Sequence, residues 1–411
     1  MSAFNCCNNK NAKLKVKARI KTLQAGFSLI ELMVAIAIGL VITATLLTLF
    51  LNINRTNDEM AKTNSQIENG RFAIQLLQDD ISHAGFWDTY VPQFDDLTLA
   101  VVPADAPTAV PNPCLAYSTP WTAAYINNLI AIPVQVYGIT PPSGSGCVTN
   151  LATNKKTSTD VLLVRHAETC LPGDSNCEAD TSGKLYFHSS LSYFLPAPRP
   201  IPEPNCPSGK TADTVAYELA TSFGTLHKKD CTTAVTEKRK FISNIYYIRD
   251  YATTVGDGIP TLMLSQFDLA AGALAHQAAV PLIEGIESFQ VELGVDSLSK
   301  TGAAVDYASA VNWADPANLK TPTNRGDGVP DGAFVKCTDA LPCTASQLAN
   351  TVAVKLYVLA RADKISPGYT DTKTYTLGST TLGPYNDGFK RHVFSTTVRL
   401  NNIAGRRETP P

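Results

Sequence analysis

Four groups of residues in this chain have the types and spacing to do chemistry. Glu31 stands at the head of residues 32–51, a 20-residue run without a charge. A carboxylate there costs about 2.5–3.5 kcal/mol near a bilayer centre, so it needs a cationic partner. Arg165 and His166 close the apolar stretch Val161-Leu162-Leu163-Val164. A histidine nucleophile beside an arginine that grips phosphate oxygens in two places is the chemistry of phosphoryl transfer. Asn324, Asp327, Asp331 and Gly332 form an acidic, glycine-containing loop. Oxygen ligands on a turn suit calcium, with Asp327 and Asp331 as the candidate ligands, although the spacing is not that of an EF-hand. Arg325-Gly326-Asp327 within it is also a cell-adhesion tripeptide, short enough to occur by chance.

The fourth group is the cysteines. Cys6 and Cys7 lie in the N-terminal stretch, and eight more lie beyond it: Cys114, Cys147, Cys170, Cys177, Cys206, Cys231, Cys337 and Cys343. An even set without a CxxC pair reads as disulfides in an oxidising compartment. Eight cysteines allow 105 pairings. Short loops lose less entropy on closing, which selects Cys114–Cys147, Cys170–Cys177, Cys206–Cys231 and Cys337–Cys343.

These groups need elements to position them. The 20-residue run spans about 30 Å as a helix, the thickness of a bilayer core. Lys10, Lys13, Lys15, Lys17, Arg19 and Lys21 precede it without an acid among them. The N-terminus therefore stays cytoplasmic and the rest crosses the membrane. No basic stripe follows, which argues against nucleic-acid binding. The run ends in Asn52-Ile53-Asn54-Arg55 rather than in small residues, unlike a secretory signal.

No proline occurs before Pro92, and Ile53, Met60, Ile67, Ile74 and Ile81 recur every seven residues. That pattern predicts a continuing amphipathic helix with one buried stripe, about 87 Å long from Phe27 to Ala84. Past Gly85 the pattern shortens to strands at 161–165, 185–188, 242–248, 288–293, 352–359 and 392–400. In the fifth, Val352, Val354, Leu356 and Val358 share a face. The expected fold is α+β, a long N-terminal helix on a mainly antiparallel β head. Its parts are a leader at 1–26, a membrane or filament-core segment at 27–53, an amphipathic segment at 54–85 and a disulfide-containing head at 86–411.

Gly26-Phe27-Ser28-Leu29-Ile30-Glu31-Leu32-Met33 resembles the processing motif of type IV pilins and type II secretion pseudopilins. The resemblance implies peptidase cleavage between Gly26 and Phe27, methylation of the new Phe27 amine, and Glu31 as the recruiter of a neighbouring subunit's N-terminus. Further segments resemble the PilW family of minor pilins. These include Asn69-Gly70-Arg71-Phe72-Ala73, Ile245-Tyr246-Tyr247-Ile248-Arg249, Leu282-Ile283-Glu284-Gly285-Ile286-Glu287 and Val393-Phe394-Ser395-Thr396-Thr397-Val398-Arg399-Leu400. Residues 90–235 match poorly.

What this second resemblance implies is a non-enzymatic subunit without cofactors that helps initiate pilus assembly at or near the tip. Its implied partners are the prepilin peptidase, the inner-membrane assembly platform, other minor and major pilins and a tip adhesin. The implied location is the inner membrane with a periplasmic head, and then the extracellular pilus. A J-type pseudopilin of type II secretion is the alternative within that architecture. The Arg165-His166 strand also resembles the phosphate site of histidine phosphatases, which makes a membrane-anchored phosphatase the distant alternative. The second arginine and the second histidine–acid pair of that family have no counterpart here.

Co-expression with a prepilin peptidase should shorten the chain by the 26 residues of its leader and leave methylated Phe27. Intact-mass spectrometry checks this, and a bulky residue in place of Gly26 should block the cut.

Overall fold

The computed structural model describes residues 26–118, 121–138, 154–193, 206, 212–223, 226–231, 234–318 and 321–408. The chain divides into two compact units, Met1–Asp58 and Glu59–Pro411. Helix α1 (Leu29–His83) contributes to both. It stops at Gly85, whose φ of +73° only glycine adopts freely.

In the first unit the described residues are 26–58, which carry the apolar run of α1 and are exposed throughout. The hydroxyls in the uncharged run are those of Thr43, Thr45 and Thr48. Each donates to a carbonyl of its own helix, at Gly39 (2.7 Å), Ile42 (2.8 Å) and Thr45 (2.8 Å) respectively. In lipid every polar group must find its partner internally, and these do.

The second unit is built on antiparallel sheets. Its large sheet follows the order β1-β2-β5-β3-β4: β1 (Val134–Tyr137), β2 (Val161–Ala167), β5 (Lys238–Arg249), β3 (Tyr186–Ser189) and β4 (Tyr217–Ala220). Strand β6 (Thr261–Ala270) joins it through β5 and pairs with β7 (Ala273–His276) and β8 (Val280–Glu284). A second sheet has β10 (Thr351–Arg361) between β9 (Ile286–Val295) and β13 (Arg391–Arg399). The hairpin β11–β12 (Tyr375–Leu377, Thr380–Leu382) covers the back of β10, where Tyr357 and Leu359 meet Tyr375 and Leu377. Short helices are α2 (Ala123–Ala131), α3 (Ala345–Ala349) and α4 (Asn401–Arg407).

One core joins these layers. Ala73, Leu77 and Ile81 of α1 are buried with Val134 and Leu162 of the large sheet and with Val291, Val354, Leu356 and Val358 of the second. Both faces of β9 and β10 are covered, which explains why these strands read as nearly continuous apolar runs.

The buried line of α1 differs from the stripe that periodicity predicts. It runs through Lys62, Gln66, Gly70, Ala73, Leu77 and Ile81. Ile53, Met60 and Ile67 of the expected stripe are exposed, and Ile74 is half-buried. The reason is hydrogen bonding. The Gln66 amide donates to the carbonyls of Ala360 (2.7 Å) and Lys390 (3.1 Å), and Lys62 donates to that of Ile365 (3.1 Å). Partners at the ends of the β10 and β13 strands thus reward polar side chains that a hydropathy count assigns to water.

Gly70 is required by close approach. A Cβ there would stand 2.1 Å from the Phe394 ring on β13. Glu59 begins the seam, accepting from Lys390 (2.6 Å) and Ser366 (2.7 Å). The Lys390 ammonium, helped by the Ser366 hydroxyl, lowers the Glu59 carboxyl to about 2.

Gly70→Ala should destabilise the protein by about 1–2 kcal/mol, because overpacking outweighs the gain of about 1 kcal/mol in helix propensity. In a Phe394→Ala background the same change should become neutral or stabilising. Urea unfolding of the four variants of that cycle checks both. Glu59 contributes stability above its unfolded pKa near 4.5 that is lost as pH falls toward about 2. The wild type should therefore melt above Glu59→Gln at pH 7, and the gap should close across that acid window.

Candidate functional site

Gly26, Phe27 and Glu31 lie at the start of the described chain, ahead of and in the first turn of α1. Gly26 has no atom within 4 Å of where a Cβ would stand, and Phe27 is 87 % exposed. Ser28 and Glu31 then form a reciprocal pair. The Glu31 N–H donates to Ser28 Oγ (3.3 Å) and the Ser28 N–H to Glu31 Oε2 (2.9 Å). This is a capping box: two backbone donors at the start of α1 are satisfied, and the carboxylate sits at the positive end of the helix. The Ser-x-x-Glu spacing before an apolar run announces it. Helix α1 is long and apolar enough to cross a membrane.

The structure places Arg165 and His166 on opposite faces of β2, as consecutive strand residues must be. Arg165 is buried and donates to the Ile132 carbonyl (3.0 Å). The half-buried His276 lies on that side, and desolvation with the Arg165 charge pulls its imidazole down to about 3. His166 points the other way, with Nε2 3.0 Å from Asp80 Oδ1 on α1. Asp80 also accepts from Tyr246 (2.9 Å) and Asn244 (3.1 Å). The two side chains that a phosphate would need together are thus separated by the strand. His166 serves instead to tie α1 to the large sheet. Of the other histidines, His188 is bonded to Thr236 and His227 to Asp213.

In the acidic loop, Asp331 accepts from the Ser297 and Leu298 amides (2.7 and 2.6 Å) and Asp327 from the Val329 amide (3.1 Å). Asn324 donates to Ser309 and Ala310. Among the described residues no group of three His, Cys, Asp or Glu side chains is placed to hold a metal. Arg325 of the adhesion-like tripeptide is 2 % exposed and donates to the carbonyls of Asp306, Ser309 and Asn324, so it is not displayed.

Disulfides join Cys170–Cys177, Cys206–Cys231 and Cys337–Cys343, with Cα separations of 6.3, 5.0 and 5.1 Å. Cys337 and Cys343 belong to the main core. Cys114 is buried and disulfide-bonded. Cys147, the partner expected for it, lies outside the described residues, as do Cys6 and Cys7.

Three comparisons bear on this arrangement. The family described as Type IV Pilus-assembly protein W matches residues 245–402, which hold β6 to β13 and the start of α4. The Prokaryotic N-terminal methylation motif matches residues 21–47. No curated protein matches the chain. Among solved structures, the Type IV-like pilin TTHA1219 from Thermus thermophilus is 17 % identical over 40 % of this chain and 68 % of its own, with a TM-score of 0.19. That overlap is too slight to argue from. The two family matches point to a structural pilus subunit. With the capped apolar helix, the antiparallel head and the disulfides, they support a type IV pilus minor pilin of the PilW type, and the apolar helix fits a single-pass inner-membrane protein with a periplasmic head that is assembled into pili.

Proposed function

We propose that this minor pilin primes pilus assembly and remains at or near the tip, with no catalysis of its own. The observation that carries this reading is the outward apolar surface of α1. Met60, Ile67 and Phe72 stay 58, 37 and 53 % exposed although the same helix buries its opposite line in the head. A helix already seated on its own head keeps such a surface for neighbouring subunits. Cleavage between Gly26 and Phe27 fits their open surroundings, and Phe27 becomes the methylated N-terminus. Glu31, one turn in, then meets the amine of the next subunit, each charge lowering the cost of burying the other. The partners are the prepilin peptidase, the assembly platform, other minor and major pilins and a tip adhesin. The head from Glu59 to Pro411 is bulky, which favours a position with filament neighbours on one side only.

Glu31→Ala, as the only copy, should still insert in the membrane but should lower the number of pili per cell. Immunogold labelling of a tagged wild-type chain should mark fibre ends. Normal piliation in the variant would remove the recruiting role, and label spread along the fibre would remove the tip position.

A further inference from the structure

A cavity of about 910 Å³ opens on the head beside β4, at the end of the large sheet. Its size falls within the range of roughly 300–1,000 Å³ typical of small-molecule sites. Most of its lining precedes residue 245, outside the stretch matched by the pilus-assembly family.

Its walls are aromatic and held in place. The Tyr90 and Tyr217 rings lie 4.6 Å apart, and those of Tyr117 and Trp121 lie 5.2 Å apart. The Tyr90 hydroxyl donates to Asp105 (3.0 Å), the Tyr217 hydroxyl to Asn127 (2.6 Å) and the Trp121 indole to the Ala116 carbonyl (3.3 Å). With their polar ends anchored, Tyr90, Tyr217 and Trp121 meet a ligand without losing further rotamer freedom. Ser118, Thr214, Thr221, Ser222 and Gln93 add neutral hydroxyl and amide groups to the lining. Among the described lining residues there is no Lys, Arg or His, while Asp105 and Glu218 are acids. Among these described residues an anionic ligand finds no counter-charge.

We infer that this cavity binds a neutral oligosaccharide. Fixed aromatic faces match the C–H faces of sugar rings, and uncharged amides and hydroxyls match their hydroxyl groups. A small cation would need only a closed cage of rings, and this cavity is open and much larger. An extended peptide would draw on the backbone of β4 rather than on side-chain amides and hydroxyls.

The test is calorimetric titration of the full chain in a polyoxyethylene detergent, because sugar-headed detergents would compete. The probes are maltohexaose, cellohexaose, mannohexaose and chitohexaose, with sialyllactose, tetramethylammonium and an uncharged strand-forming hexapeptide as the other arms. At least one neutral hexasaccharide should saturate with a Kd of about 1 mM or tighter. Tyr117→Ala and Asn127→Ala, both at half-buried positions, should each weaken it by about tenfold while the variants still unfold cooperatively. Three results would overturn the inference: no saturation by any neutral hexasaccharide, affinity unchanged in both variants, or binding confined to the anion, the cation or the peptide.

Discussion

The seam between α1 and the second unit is the constraint on which the head depends. Along it, helix residues that look unsuited to burial are the ones buried. Gln66 satisfies two carbonyls at the strand ends, Gly70 lets the Phe394 ring sit on the helix backbone, and Leu77 and Ile81 close the core between the two sheets. Further along, Asp80 gathers His166, Asn244 and Tyr246 from β2 and β5. The helix is thus the element that both sheets share, and the core would be open to water without it. A second fastening closes the C-terminus. Arg407 of α4 is buried among Asp95, Asp296 and Asn350, joining the loop after α1 to the ends of β9 and α3.

Much of this was legible in residues alone, for identifiable reasons. Strands such as β5 and β10 announce themselves because β-branched and aromatic residues crowd into short runs. The membrane helix does so because lipid imposes a length and forbids charge. The stripe on α1 was misread for an equally physical reason. Hydropathy scores Gln66 and Lys62 as solvent-facing, whereas their burial is set by carbonyls about 300 residues away in sequence. Seven-residue spacing found real apolar residues in Met60 and Ile67 but assigned them to the wrong surface.

Local motifs failed where the third dimension divides them. Arg165 and His166 are adjacent in sequence, but a strand turns adjacent side chains to opposite faces, Arg165 toward the Ile132 carbonyl and His166 toward Asp80. The adhesion-like tripeptide fails by burial of its arginine. The aromatic cavity was not legible at all. Tyr90, Tyr117, Trp121 and Tyr217 come from separate loops and strands, with no spacing rule to link them.

The three threonine hydroxyls of the membrane run, each bonded to a carbonyl of its own helix, have a mechanical consequence. The side of that helix asks nothing directional of its surroundings. Passing from lipid to a bundle of other helices exchanges one set of dispersion contacts for another and breaks no hydrogen bond at those hydroxyls. Such a rod can turn and slide until shape and its terminal charge fix it, so its transfer out of a bilayer is resisted by contact area rather than by specific bonds.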